Sequence, residues 1–245
     1  MKGKKGKIII AQKPKRGSSI KYPTIEGYKR IDCTSGSNNK INGEKAIWFS
    51  PLYLGPVEDK EGHTSLRFEN YWQYTKVYPQ LGHIDEYNKP TSKWTKWRDD
   101  GFKKVKINNK KPQLPGKGIR TPPAVSSLKQ KVRKGEIKSW APSFAIHNNT
   151  SFKYIEARKS IYIPIYIELV KKQKVFQELY KKIQNGENVI LIDIDGPPLN
   201  LYPNGIDVEN IKEIKSLLNN GKYPFGHGYC LALALSDIDL ELILS

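Results

Sequence analysis

Cysteine is nearly missing from this chain. Its 245 residues include two, Cys33 and Cys230, far apart and in no C-x-x-C arrangement. That usage excludes a disulfide framework and a cysteine-rich zinc site. Long apolar runs are also missing: none approaches the roughly 18–20 residues needed to span a bilayer, so no membrane partner is expected. The basic start, residues 1–7, reads as a flexible tail, and Ile8-Ile9-Ile10 is too short for a signal-peptide core. A cytoplasmic location is the expectation. The four histidines, His63, His83, His147 and His227, show neither i, i+4 pairing nor an H-x-H spacing, so no metal site is predicted from them. Neither a Walker A loop nor a nucleotide-binding G-x-G-x-x-G is present.

Acidic residues are few as well. Lys and Arg total 42 against 24 Asp and Glu, a net charge of +18. The excess is local: residues 101–140 hold twelve Lys/Arg and one acid, Glu136, whereas residues 201–245 hold three basic and six acidic side chains. A concentrated positive field attracts a polyanion, and nucleic acid is the commonest one, DNA being favoured here. A Lys-, Asn- and Ile-rich genome would also produce basic proteins. Against an anionic membrane surface stands the lack of a long basic amphipathic helix.

The richest stretch is Phe68-Glu69-Asn70-Tyr71-Trp72-Gln73-Tyr74-Thr75-Lys76-Val77-Tyr78. At 3.6 residues per turn, Glu69, Gln73 and Lys76 share one stripe of a helix predicted over residues 65–78. Phe68, Tyr71, Trp72 and Tyr78 flank it. A polar line within an aromatic wall is costly to bury unless its groups pair with one another or with a ligand. Two readings stand: a core helix with a satisfied Glu–Gln–Lys network, and a pocket wall that stacks on a flat ring and offers it a carboxylate.

Elsewhere, residues 46–54 read as a strand ended by Pro51. Residues 87–140 read as a long, irregular, basic and aromatic insertion. Its Trp94, Trp97, Arg98, Lys103, Lys104, Lys106, Lys110, Lys111 and Arg120 are candidates for phosphate and unstacked-base contacts; Trp94 and Trp97 tucked against the core is the other reading. Pro164 opens and Gly186 closes a predicted long helix. Residues 188–196 form the clearest strand, apolar nearly throughout, as a central strand covered on both faces would be. Asp207 is expected to cap a helix bearing Ile211, Ile214, Leu217 and Leu218. Gly226-His227-Gly228 leads into a buried helix.

Asp193 and Asp195 lie two apart near the end of that strand, on one face and roughly 6–7 Å apart at about 3.3 Å per residue. Such a pair could bind a divalent metal or serve as acid and base; equally, turn aspartates cap backbone amides. Glu156 sits in a cluster with Arg158 and Lys159.

The order of features resembles the NADAR family of N-glycosidases. The resemblance rests on Trp48-Phe49-Ser50-Pro51, Gly62, the Ser65 to Lys76 segment, and Gly226-His227-Gly228-Tyr229-Cys230-Leu231, about a third of the chain. Asn70 stands where the family usually has His, and the Lys-rich middle has no counterpart. The resemblance implies an α+β fold, cleavage of an N-glycosidic bond, and Glu69 in the catalytic acid position.

The expected fold is therefore α+β: a single compact domain, residues 1–245, with a small mixed sheet flanked by helices and the basic insertion. The expected function is a DNA glycosylase-like excision of a modified base from a flipped-out nucleotide. Glu69 and Asp193 are the candidate catalytic carboxylates, with Lys76 and Glu156 supporting; Trp48, Phe68, Asn70, Tyr71, Trp72 and Gln73 are the candidate base pocket. Neither role calls for a metal or cofactor. The alternatives are a metal-dependent nuclease or phosphoesterase built on Asp193 and Asp195, and a non-catalytic nucleic-acid-binding protein.

Overall fold

The structure, a computed structural model, describes residues 4–15, 17, 19, 21–107, 109 and 114–245. Lys110 and Lys111 lie outside the described residues, as do residues 1–3 of the basic tail. The fold is α+β. The chain forms two compact units: residues 1–50 together with 166–245, and residues 51–165.

The first unit is built on a four-stranded mixed sheet. Asn188–Asp193 runs parallel to Ile8–Gln12 on one side and to Tyr28–Asp32 on the other, with Ile10 opposite Leu191 and Arg30 opposite Ile190. Ile206–Asp207 adds an antiparallel edge beyond Ile8–Gln12. Both neighbours of Asn188–Asp193 are strands, and Val189 to Asp193 are all buried, which accounts for its continuous apolar run. Helix His227–Ser236 packs on the two central strands, and every residue from His227 to Leu235 is buried. Helix Ile211–Asn219 buries Ile214, Leu217 and Leu218; its cap is Asn210, whose side chain accepts from the Glu213 N–H, because Asp207 belongs to the edge strand instead.

The long helix expected from Pro164 to Gly186 is two helices, Ile163–Lys171 and Lys174–Gln184, with Gln173 extended between them. Continuing the first helix would follow buried Tyr166 and Val170 with Gln173, Lys174 and Gln177 on the same stripe. The break resets the phase so that Val175, Phe176, Leu179 and Ile183 face the core. Residues 46–54 are not a strand: Ala46–Phe49 is a 3₁₀ turn, and Ser50 N–H closes it onto the Ile47 carbonyl.

The second unit carries a hairpin, Val57–Glu58 with Thr64–Ser65, and a three-stranded sheet. In that sheet Phe144–His147 pairs with both Lys76–Val77 and Thr150–Phe152. The aromatic helix is shorter than expected, Phe68–Tyr74. The basic insertion is less irregular than its composition implies, since it contains helices Ser92–Phe102 and Pro123–Arg133. Trp94 and Phe102 of the first and Val125 and Leu128 of the second are buried, sparse apolar stripes diluted by Lys and Ser.

Candidate functional site

The first turn of helix Phe68–Tyr74 is anchored by the chain before it: Phe68 N–H donates to the Leu54 carbonyl at 2.9 Å and Glu69 N–H to the Pro51 carbonyl at 3.0 Å. Glu69 thus sits where the helix dipole favours a carboxylate. It is buried, 7% exposed, and its Oε1 accepts from Gln73 Nε2 at 2.8 Å. Gln73 Oε1 in turn accepts from Lys76 Nζ at 3.0 Å. The Gln73 amide nitrogen faces the Glu69 carboxyl oxygen and its carbonyl oxygen faces the Lys76 ammonium, which only donates, so the two ends fix the orientation of the amide. Lys76 reaches this chain from just beyond the helix. Thr75 caps the helix, and Lys76 opens the Lys76–Val77 strand, paired with Ala145.

The aromatic side of the chain is Trp72. The Lys76 ammonium lies 4.3 Å from its ring centroid, and Tyr162 packs on it at 4.9 Å. Glu69 is buried, whereas Trp72, Gln73 and Lys76 each keep part of their surface exposed. Burial pulls the Lys76 ammonium down from its usual 10.5 to about 8; the nearby Lys129 adds to this, while Glu69 opposes it. Lys129 is itself held below the ordinary lysine value, by burial first and then by Arg120 and Arg133.

The segment after the basic tract lies directly on the first turn of the helix. A Cβ on Gly118 would come within 2.9 Å of Asn70 Oδ1, 3.1 Å of Arg67 Cβ and 3.2 Å of Glu69 Cβ. Only glycine permits that approach. Asn70 fixes it: Oδ1 accepts from Ile119 N–H at 2.6 Å, and Nδ2 donates to the Lys104 carbonyl through a short hydrogen bond. Arg67 Nε adds a bond to the Gly116 carbonyl at 2.8 Å.

Glu69, Gln73, Lys76 and Trp72 are therefore brought together as the spacing implied. Other expected members are placed differently. Asn70 is fully buried and its amide is engaged at both ends by backbone, so it braces the basic segment and does not line a pocket. Phe68 and Tyr71 are fully buried; Phe68 packs on Tyr162, and Tyr71 stacks on Phe102 with its hydroxyl 2.6 Å from His147 Nδ1. Trp48 belongs to the first unit, on the Ala46–Phe49 turn. Glu156 is exposed and accepts from Lys153 N–H at 2.8 Å, closing the start of helix Tyr154–Ala157; its role is to cap.

Asp193 also belongs to the first unit. Its carboxylate is 1% exposed and serves the fold. Oδ1 accepts from Ile194 N–H at 2.7 Å, Oδ2 accepts from Gly228 N–H at 2.9 Å at the start of helix His227–Ser236, and His227 Nδ1 lies 3.3 Å from Oδ2. A Cβ on Gly228 would sit 2.6 Å from Asp193 Cβ, so the helix closes onto this aspartate. The strand stops at Asp193, and Asp195 falls in the following turn, which removes the strand geometry on which a metal-binding pair depended. Among the described residues, the group with ligand-type atoms within 4.8 Å of one another is Asp59, Glu61 and His63. There the Asp59 carboxylate already receives the His63 and Glu61 N–H groups, at 2.8 and 3.1 Å, and closes the hairpin turn.

The expected nucleic-acid contacts divide. Trp94 is buried and donates from Nε1 to the Lys76 carbonyl at 3.3 Å, and Trp97 packs among Tyr74, Tyr78 and His83. Arg98 lies over Trp94 and pairs with Asp99. Trp94 belongs to the core, while Trp97 and Arg98 pack against it and stay part-exposed. Lys103, Lys104, Lys106 and Arg120 are exposed. Lys129, Arg133 and Trp140 were not singled out from the sequence, although Lys129 and Arg133 share a stripe of helix Pro123–Arg133 at i, i+4. The Lys129 ammonium lies 4.3 Å from the Trp140 ring centroid. No family model, curated protein or solved structure matches the chain.

Proposed function

We propose that this protein is an N-glycosidase acting on nucleic acid, with DNA favoured, and that the Glu69–Gln73–Lys76 chain is its catalytic centre. The observation that carries the reading is a buried carboxylate tied through one amide to an ammonium whose pKa is pulled to about 8, beside a part-exposed tryptophan. Cleaving a base–sugar bond moves the bonding electrons onto the base nitrogen and leaves positive character on the sugar. Glu69 stabilises that charge and takes the proton of the water that attacks the sugar carbon. The Lys76 ammonium, near its pKa at neutral pH, gives a proton to the departing base. Exchange with solvent resets both groups. Trp72 offers a ring face to a base extruded from its stack.

The test is incubation of purified protein with DNAs carrying diverse base modifications, scoring abasic sites with an aldehyde-reactive tag. The expected result is product from the wild type, a loss of about a hundred-fold or more in Glu69→Gln, and no effect of EDTA. Full activity in Glu69→Gln refutes the assignment of that residue.

A second reading, non-catalytic nucleic-acid binding, is favoured by one observation: among the described residues no acidic side chain pairs with Arg120, Lys129 or Arg133. Salt-sensitive binding without abasic product would select it.

A further inference from the structure

We infer that Trp140, Lys129, Arg120 and Arg133 form a contact for unpaired nucleic acid, in which Trp140 stacks on an unstacked base and the three cations hold the flanking phosphates. The inference deepens the proposed function by naming a strand type, and its use in catalysis rests on that reading; the contact itself stands or falls on binding.

Trp140 is 38% exposed, unusual for a residue type that is highly buried on average. Its position is built. The Gln80 amide donates to the carbonyls on either side of it, Ser139 at 3.0 Å and Ala141 at 3.3 Å, and Ala141 N–H donates to Ser139 Oγ at 3.1 Å. Two residues on, Ser143 N–H donates to the Val77 carbonyl, which joins the loop to the strand that carries Lys76. The Lys129 ammonium against the ring orients it further. A part-exposed indole with a cation on it, carried on a loop whose backbone is held in place, suits binding of a base face together with its phosphate.

The charges point to the same partner. Lys129, Arg120 and Arg133 are close enough for the two arginines to disfavour the Lys129 charge, and Lys129 in turn acts on Lys76. Like charges gathered without an acidic partner repel one another, and a phosphodiester relieves that repulsion. Lys76 thus lies within electrostatic reach of Lys129. Bases within a duplex present no free face to an indole, so the arrangement selects unpaired strand.

The experiment measures binding of fluorescein-labelled dT12 and of a 12-base-pair duplex to Glu69→Gln protein over a range of salt, so that no turnover interferes. Trp140→Ala is expected to weaken dT12 binding roughly 5- to 150-fold, and Trp140→Phe, which keeps a ring, to recover most of it. Arg120→Ala with Arg133→Ala is expected to reduce the slope of log affinity against log salt by about 1.4, close to 0.7 for each lost phosphate contact. Unchanged dT12 affinity in Trp140→Ala, an unchanged slope in the arginine pair, or duplex binding as tight as dT12 overturns the inference. Because no cleavage is measured, these losses would stand even if the wild type released no base. Abasic product together with indifferent Trp140 and arginine variants would sink this contact alone.

Discussion

Replacing Lys76 by methionine removes the ammonium that ends the Glu69–Gln73 chain and keeps most of the side-chain length. In the folded protein that ammonium is drawn from 10.5 to about 8, chiefly by burial. Below pH 8 both folded and unfolded chains carry the proton, and above 10.5 neither does. Between those limits the unfolded chain binds a proton that the folded chain has released, so stability rises with pH. A displacement of about 2.5 units at about 1.4 kcal/mol per unit amounts to about 3 kcal/mol over that window. Lys76→Met lacks the group, and subtracting its profile from the wild type cancels the titrations that Lys76 does not influence. Urea unfolding at pH 7.5, 9 and 10.5, at constant ionic strength, should therefore show the wild type gaining about 3 kcal/mol on the variant. Activity should follow the same group: wild-type kcat/KM falls above about pH 8, close to ten-fold per unit, while the low activity of the variant stays flat. Parallel stability profiles would refute the burial argument. A wild-type rate that holds level to pH 10 would refute the proton donation.

Asn70→Ala should cost about 2 kcal/mol or more, because it unpairs the Ile119 N–H and the Lys104 carbonyl together. Hydrogen exchange should rise selectively over the described part of residues 104–119. Asp193→Ala should destabilise by about 3 kcal/mol in thermal unfolding, since it strips the acceptor from the start of helix His227–Ser236 and leaves His227 without its carboxylate. Glycosidase activity in the wild type should be indifferent to chelators, and metal-dependent activity lost in Asp193→Asn protein that unfolds at the wild-type temperature would favour the alternative chemistry.

Some of this was legible in the residues alone. The unbroken apolar run from Val189 to Ile192 specified a central strand covered on both faces, and Val189 to Asp193 are all buried between two parallel neighbours. The i, i+4, i+7 spacing placed Glu69, Gln73 and Lys76 on one line, although the helix stops at Tyr74 and a strand delivers the lysine. What stayed hidden was set by distant partners. Trp94 and Trp140 are both tryptophans among basic residues, yet one donates to the Lys76 carbonyl inside the core and the other is clamped outward by Gln80. Asp193 read equally as half of a metal pair and as a cap for backbone amides, because the amide it holds, that of Gly228, lies 35 residues further along the chain. Helix Ser92–Phe102 escaped notice because so few of its positions are apolar, too sparse for a periodic signal.

The order of strands along the chain has a consequence for biosynthesis. Ile8–Gln12 and Tyr28–Asp32 do not pair with each other; each waits for Asn188–Asp193, which is made only after the whole 51–165 unit has been synthesised. At about 5–20 residues per second, translation leaves those two early strands without their shared neighbour for roughly ten to thirty seconds. The nested unit thus gains a head start, and ribosomes stalled before Asn188 would release chains with bare, sticky β-edges that chaperones must cover.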